Sequence, residues 1–130
     1  MKLLLPIHQF FPDYRSGTEV LARGVAQELQ RRGHDVRILT GYPDSQPLTD
    51  AARTDSYEVD GLKVYRFRHG RMAMGGQSVL TELDVDNRLA AAYFDRILAE
   101  FAPDLVHFFH LSRLGAGLID VAVARGIAAY

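Results

Sequence analysis

The most constraining feature of the chain is a change of hydrophobic period within its first forty residues. Leu3-Leu4-Leu5-Pro6-Ile7 is a continuous apolar run flanked by polar residues. Such a run suits a strand covered on both faces of a parallel sheet. Leu21, Val25 and Leu29 then recur every four residues, as on one face of a helix, and Val36-Arg37-Ile38-Leu39-Thr40 is a second strand. Strand, helix and strand make a β-α-β unit, which is right-handed with parallel strands. Pro6 has no N–H to give a ladder, so pairing is expected to stop, or to fail on one side, near it.

The joint between the first strand and helix carries the local signals. Pro12, Asp13 and Gly17 mark a loop, and Ser16-Gly17-Thr18-Glu19 has capping-box spacing, a hydroxyl three residues before a carboxylate. Gly33 ends the helix behind Arg31 and Arg32, which complement its negative end. Gly41 to Ser56 is polar and Pro/Asp-rich and is expected to be a surface loop. Asp60-Gly61 between Tyr57-Glu58-Val59 and Leu62–Phe67 is a hairpin signal, because a type I′ turn needs positive φ. Arg68 to Gly76 is again irregular.

A second long helix is expected to start between Ser78 and Asn87, with Ala90, Tyr93, Phe94, Ile97, Leu98 and Phe101 on its apolar face and Pro103 as its stop. Leu105–Phe109 would be the third parallel strand, and about Ser112 to Arg125 a third helix capped by Gly126. Ile127–Tyr130 begins another strand. The expected fold is therefore α/β: a doubly wound, mainly parallel Rossmann-like sheet with a β-hairpin insertion, in one domain over residues 1–130. Ligands of such sheets bind beyond the carboxyl ends of the strands, at a topological switch point. That directs attention to Ile7–Gly17, Thr40–Asp44 and His107–Arg113.

Composition removes several classes of function. With 15 Lys+Arg against 16 Asp+Glu, the net charge of -1 gives no field to hold nucleic acid. The absence of Cys excludes disulfides, thiolate metal sites and a cysteine nucleophile. No apolar run approaches the ~18 residues needed to span a bilayer, and the opening run is too short for a signal-peptide core. The expected setting is the cytoplasm.

Three groups have chemical potential. Gly17 stands where the first amides of a helix point outward at the positive end of its dipole, so a diphosphate could approach closely. Equally, it could simply shape a tight turn, since neither G-x-G-x-x-G nor G-x-x-x-x-G-K-[ST] is present. His107 and His110, at the end of a strand, lack the spacing and third ligand of a zinc site, and no metal is expected. Either could hydrogen-bond a sugar hydroxyl, as could His8 at the end of strand one, although each could equally be a structural histidine. Arg66, Arg68, His69 and Arg71 form a basic cluster, a solvated face by default and otherwise a site for an anionic acceptor.

The order of segments resembles the N-terminal domain of the family 4 retaining glycosyltransferases, which have the two-domain GT-B fold. The resemblance is carried by Met1–Leu5 through Phe11-Pro12, by Ser16-Gly17-Thr18-Glu19, by Leu29–Val36, by Val59–Arg66 and by Pro103–Leu111. It implies transfer of a sugar from a nucleotide-sugar donor to a sugar or glycolipid acceptor with retention of configuration, without a cofactor. A glycolipid acceptor would bring peripheral contact with a membrane. The resemblance further implies that Ser16, Gly17 and Thr18 approach the donor phosphates, while His8, His107 and His110 lie on the acceptor side. Catalytic residues are not identified.

Two positions depart from the family pattern: Ser16 stands for the first of two glycines, and Pro6 for a β-branched residue. The family's next strand would run past Tyr130 towards a functional histidine, and its C-terminal Rossmann-like domain would follow. The chain is thus expected to be a truncated N-terminal domain, inactive alone. Other readings are a non-catalytic flavodoxin-like interaction module, or another nucleotide-binding doubly wound domain. A dehydrogenase loses ground because strand two ends Leu39-Thr40-Gly41, without the acidic residue that would bind a ribose.

Overall fold

A computed structural model describes residues 1–44, 48–69 and 85–130. The described elements are β1 (Lys2–Ile7), α1 (Gly17–Arg31), β2 (Asp35–Pro43), a short 3-10 turn (Asp50–Arg53), β3 (Thr54–Val59), β4 (Leu62–His69), α2 (Arg88–Phe101), β5 (Leu105–Val106), α3 (Gly117–Ala124) and β6 (Ala128–Ala129). They form one six-stranded sheet in the order β3-β4-β2-β1-β5-β6. All neighbours are parallel except β3 and β4. The doubly wound sheet with a hairpin insertion is the architecture that the pattern of periods predicts.

Each face of the sheet has its own core. Leu3, Leu5, Ile7, Val36, Ile38, Leu62 and Val64 pack under α1, together with Phe10 and Phe11. Leu4, Leu39, Tyr65, Phe67 and Val106 pack under α2 and α3 against Phe94, Ile97, Leu98, Phe101 and Leu118. Alternate residues of each strand therefore serve opposite layers, which is why β1 reads as a continuous apolar run.

Pro6 sits inside a central strand, and the parallel ladder explains how. β1 pairs with β2 from Lys2↔Asp35 to Ile7↔Thr40, but with β5 only at Leu3↔Leu105 and Leu4↔Val106. The carbonyls of Leu4 and Pro6 accept from His107 and Phe109, so these residues turn their backbone groups towards β5. The donor that proline lacks is lost on that side alone. The first strand keeps its full length, and β5 is short.

Helix α1 departs from its expected face. Ala22 and Ala26 are buried, Val25 and Leu29 only partly, and Leu21 is 59% exposed. Small residues let the helix lie close to the sheet and turn the four-residue Leu21 row towards solvent. Its C-terminus is as expected: Gly33 takes φ +92° and the His34 N–H donates to the Leu29 carbonyl.

Strand β2 is longer than its apolar run, because Gly41, Tyr42 and Pro43 continue the ladder opposite Phe67, Arg68 and His69. The hairpin turn has φ 51° at Asp60 and 75° at Gly61, as type I′ geometry demands. β3 carries the chain back across the sheet, so β4 can run parallel to β2. Helix α2 buries Ala90, Phe94, Ile97, Leu98 and Phe101, while Tyr93 is half-buried. The third helix is shorter than expected, since residues 112–116 form turns before Gly117. Arg71 and much of the second irregular stretch lie outside the described residues.

Candidate functional site

From β1 the chain steps to β2 on one side and later to β5 on the other, so the switch point lies between β1 and β5. Two histidines meet there. The rings of His8, just past β1, and His110, beyond β5, have centroids 4.2 Å apart and planes tilted by 42°. Burial lowers the pKa of His8, the neighbouring His110 lowers it further, and Glu19 partly opposes both. His8 is thus held towards its neutral form, able to donate from one ring nitrogen and accept at the other.

The loop into α1 closes one side of this crevice. It is held down by Phe10 and Phe11, both buried and meeting edge to face. The Tyr57 hydroxyl donates to the Phe11 carbonyl at 2.6 Å, and the Arg23 guanidinium covers the Phe11 ring at 4.1 Å. Ser16 is the N-cap residue, with extended backbone, but its hydroxyl donates to the Glu19 carboxylate rather than accepting from a helix amide. The spacing is that of a capping box, but the Ser16 side chain makes no cap bond to the helix. Glu19 is wholly buried, with its Oε1 3.9 Å from His8 Nε2. Burial alone would raise its pKa; hydrogen bonds from Ser16, from its own N–H and from Gln9, together with His8, outweigh that and lower it.

Gly17 and Thr18, the first two residues of α1, have amides beyond the reach of intrahelical bonding, and the first helical bond runs from Val20 N–H to the Ser16 carbonyl. A Cβ placed on Gly17 would meet nothing within 4 Å, and its φ is not in the left-handed region. Neither backbone conformation nor packing calls for glycine at this position.

His107 does not join the pair. It follows Val106, which is level with Leu4, so it lies below the end of the sheet. It is exposed on the α1 side, with its ring stacked on Phe109 at 4.7 Å. The two rings have different partners, Phe109 for His107 and His8 for His110.

Sequence reasoning missed Gly41. A Cβ there would lie 2.6 Å from the His8 carbonyl oxygen and 3.3 Å from His69 Cδ2. Glycine at this point lets β2 pass between the ends of β1 and β4. Its only signal was its place at the end of an apolar strand. Also missed was Asn87, 1% exposed, whose side chain accepts from the Ala90 N–H and donates to the Arg113 carbonyl at 2.7 Å. It ties the start of α2 to the turn after His110, where Arg113 takes φ 64°.

The basic cluster is largely neutralised. Arg66 forms a two-pronged pair with Asp55 at 2.8 and 2.6 Å, and Arg68 pairs with Asp44 and Asp55 at 2.9 and 3.2 Å. The Arg66 guanidinium also lies over the rings of Tyr42 and Tyr57. These cations brace the hairpin instead of waiting for an anion. Among the described residues no group of three or more His, Cys, Asp or Glu could hold a metal ion, and no helix is long and apolar enough to cross a membrane.

A comparison with known families decides the chain's kinship, for the glycosyl transferase 4-like domain matches residues 16–129. The chain belongs to that family. None of the curated proteins matches it. Among solved structures it is similar to the catalytic domain of starch synthase IV from Arabidopsis thaliana bound to ADP and acarbose, at 16% identity and a TM-score of 0.43. That match covers 82% of this chain and 27% of the other, so the chain spans about a quarter of that catalytic domain's length.

Proposed function

We propose that this glycosyl transferase 4-like domain forms the acceptor-side half of a glycosyltransferase that moves a sugar from a nucleotide-sugar donor with retention of configuration. The observation that carries this reading is the open front of Gly17 beside the His8–His110 pair. The Gly17 and Thr18 amides, at the positive end of a 15-residue helix, face a space where a diphosphate would be stabilised as it departs. Ser16 supplies the turn that aims those amides, its hydroxyl being committed to Glu19.

His8 and His110 offer the donors and acceptors needed to orient a sugar hydroxyl, whether of a free sugar or of a glycolipid. His107, whose ring stacks on Phe109, is given no part in this proposal. Most contacts to the donor are assigned to a second Rossmann-like domain, so the 130-residue chain alone does not turn over a nucleotide sugar. Turnover by the purified chain would contradict this.

Titration of the 15N-labelled chain with UDP, ADP and GDP tests the anion site. At least one should shift the amides of Gly17 and Thr18, and Gly17→Val should weaken that binding by about tenfold while leaving the fold intact. Shifts confined to the opposite end of the sheet would overturn the assignment. A flavodoxin-like interaction module would show no such nucleotide response.

A further inference from the structure

A second groove lies away from this crevice, on the α2 side of the hairpin. It has a volume of about 350 Å³ and is lined by Thr54, Asp55 and Ser56 of β3, Lys63 and Tyr65 of β4, and Tyr93, Arg96, Ile97 and Glu100 of α2, the Asp55 carboxylate being taken up by Arg66 and Arg68. Lys63 is the second residue of β4, opposite Arg37 near the start of β2, so this end of the groove is far from the strand ends that form the crevice. The groove and the crevice are thus separate places on the sheet.

The charges of the groove are unevenly paired. Glu100 lies 4.0 Å from Arg37 and 3.5 Å from the Tyr65 hydroxyl, and Arg37 donates to that hydroxyl at 2.6 Å. Lys63 and Arg96 have no carboxylate partner among the described residues, not even Glu58, which stands opposite Lys63 in the ladder. Each rests instead on a tyrosine ring, with Lys63 Nζ 5.1 Å from the centre of Tyr65 and Arg96 5.5 Å from that of Tyr93. A ring face holds a cation while leaving its N–H groups free to donate.

Hydroxyls complete the lining. Thr54 and Ser56 stand opposite Phe67 and Tyr65, hence on the α2 side, and their hydroxyls are unengaged among the described residues. Tyr93 donates to the Asp55 carbonyl at 2.9 Å, which fixes its ring against the hairpin. Tyr65 and Tyr93 meet edge to face, so the two cation platforms are rigid with respect to each other. The volume is at the lower end of the range for small-molecule sites and exceeds the needs of a bare phosphate.

We infer that this groove binds a phosphorylated polyol of monosaccharide size, its phosphate between Lys63 and Arg96 and its hydroxyls on Thr54 and Ser56. The probe is glucose 6-phosphate, with glucose and inorganic phosphate as controls, titrated calorimetrically and by amide shifts into the 130-residue chain. Glucose 6-phosphate should bind at millimolar concentration or below and shift the amides of Thr54, Ser56 and Arg96. Each control should bind about tenfold more weakly.

The double variant Lys63→Gln/Arg96→Gln should lose about tenfold in affinity, whereas Glu100→Gln, which removes a negative charge from the lining, should gain about twofold. Circular dichroism of each variant separates loss of binding from loss of fold. If the double variant fails to fold, Arg96→Lys with Glu100→Gln carries the test, since both keep the charge balance favourable. The inference is overturned if glucose 6-phosphate does not bind, if inorganic phosphate binds as tightly, if Glu100→Gln has no effect, or if the shifts fall on Gly17 and Thr18. Nucleotide binding at Gly17 is measured separately, so failure here leaves the crevice reading standing.

Discussion

The imidazoles of His8 and His110 lie 4.2 Å apart, centre to centre, where β1 and β5 diverge. Residues 102 positions apart in the chain are thereby brought into one small polar site. Beside it stands Glu19, a buried carboxylate 3.9 Å from the His8 ring. Both His110 and Glu19 bear on the protonation of His8.

Burial and His110 lower the pKa of His8, against a weaker pull from Glu19. Because the folded value lies below the unfolded one, the unfolded chain binds more protons in the interval between them. Stability should therefore rise with pH across that interval and level off above about 6.5. An NMR titration should give His8 a value below 6.5, and His110→Ala should move it upward. A His8 value at or above 6.5 in the unmodified chain would contradict the arrangement.

Glu19 acts in the same direction, in a more acidic interval. Its pKa is lowered in the folded state, so its contribution is present above the unfolded value near 4.5 and is lost as pH falls through the folded one. Glu19→Ala should cost about 1–3 kcal/mol in urea denaturation at neutral pH, because it leaves the Ser16 hydroxyl and a helix amide without an acceptor. A change below a few tenths of a kcal/mol would show that the carboxylate is not needed there.

Gly41 and Gly17 should respond differently to alanine. Gly41→Ala places a methyl group 2.6 Å from the His8 carbonyl oxygen, a backbone atom that cannot swing aside. Overpacking of this kind costs about 1–3 kcal/mol and should displace the His8 ring signals. Gly17→Ala meets nothing, and its stability should stay within about 0.5 kcal/mol of the parent. Thermal denaturation of the two variants makes the comparison; equal losses would refute it.

Asn87 serves two partners that can be separated by substitution. Asn87→Asp keeps an acceptor for the Ala90 N–H but gives up the donor to the Arg113 carbonyl. Asn87→Ala loses both. Alanine should cost about 1–2 kcal/mol through the lost cap, and aspartate should cost less stability while still disturbing His110. The test is the His110 ring shift: if aspartate leaves it unmoved, the Arg113 contact does not position that histidine.

Much of the fold was legible because its signals are local. Asp60-Gly61 demanded a tight turn, Phe94 to Phe101 marked a buried helix face, and Pro6 required pairing to stop or to fail on one side. The opening of α1 was legible for the same reason, since Ser16-Gly17-Thr18-Glu19 carries the start signals of a helix. The inward face of α1 was not. Whether Leu21 or Ala22 turns to the sheet depends on how closely the helix approaches it, which its own residues do not reveal.

What the sequence determined by itself was the order and type of the elements, the helix opening at Gly17 and the hairpin, all consequences of backbone preference and hydrophobic period over a few residues. Only the tertiary structure decided that His8 meets His110 and not His107, that Arg66 and Arg68 are neutralised by Asp55 and Asp44, and that Gly41 gives way to the His8 carbonyl. These depend on strand order and register between distant segments, and side-chain partners follow from that geometry rather than from nearness in the chain.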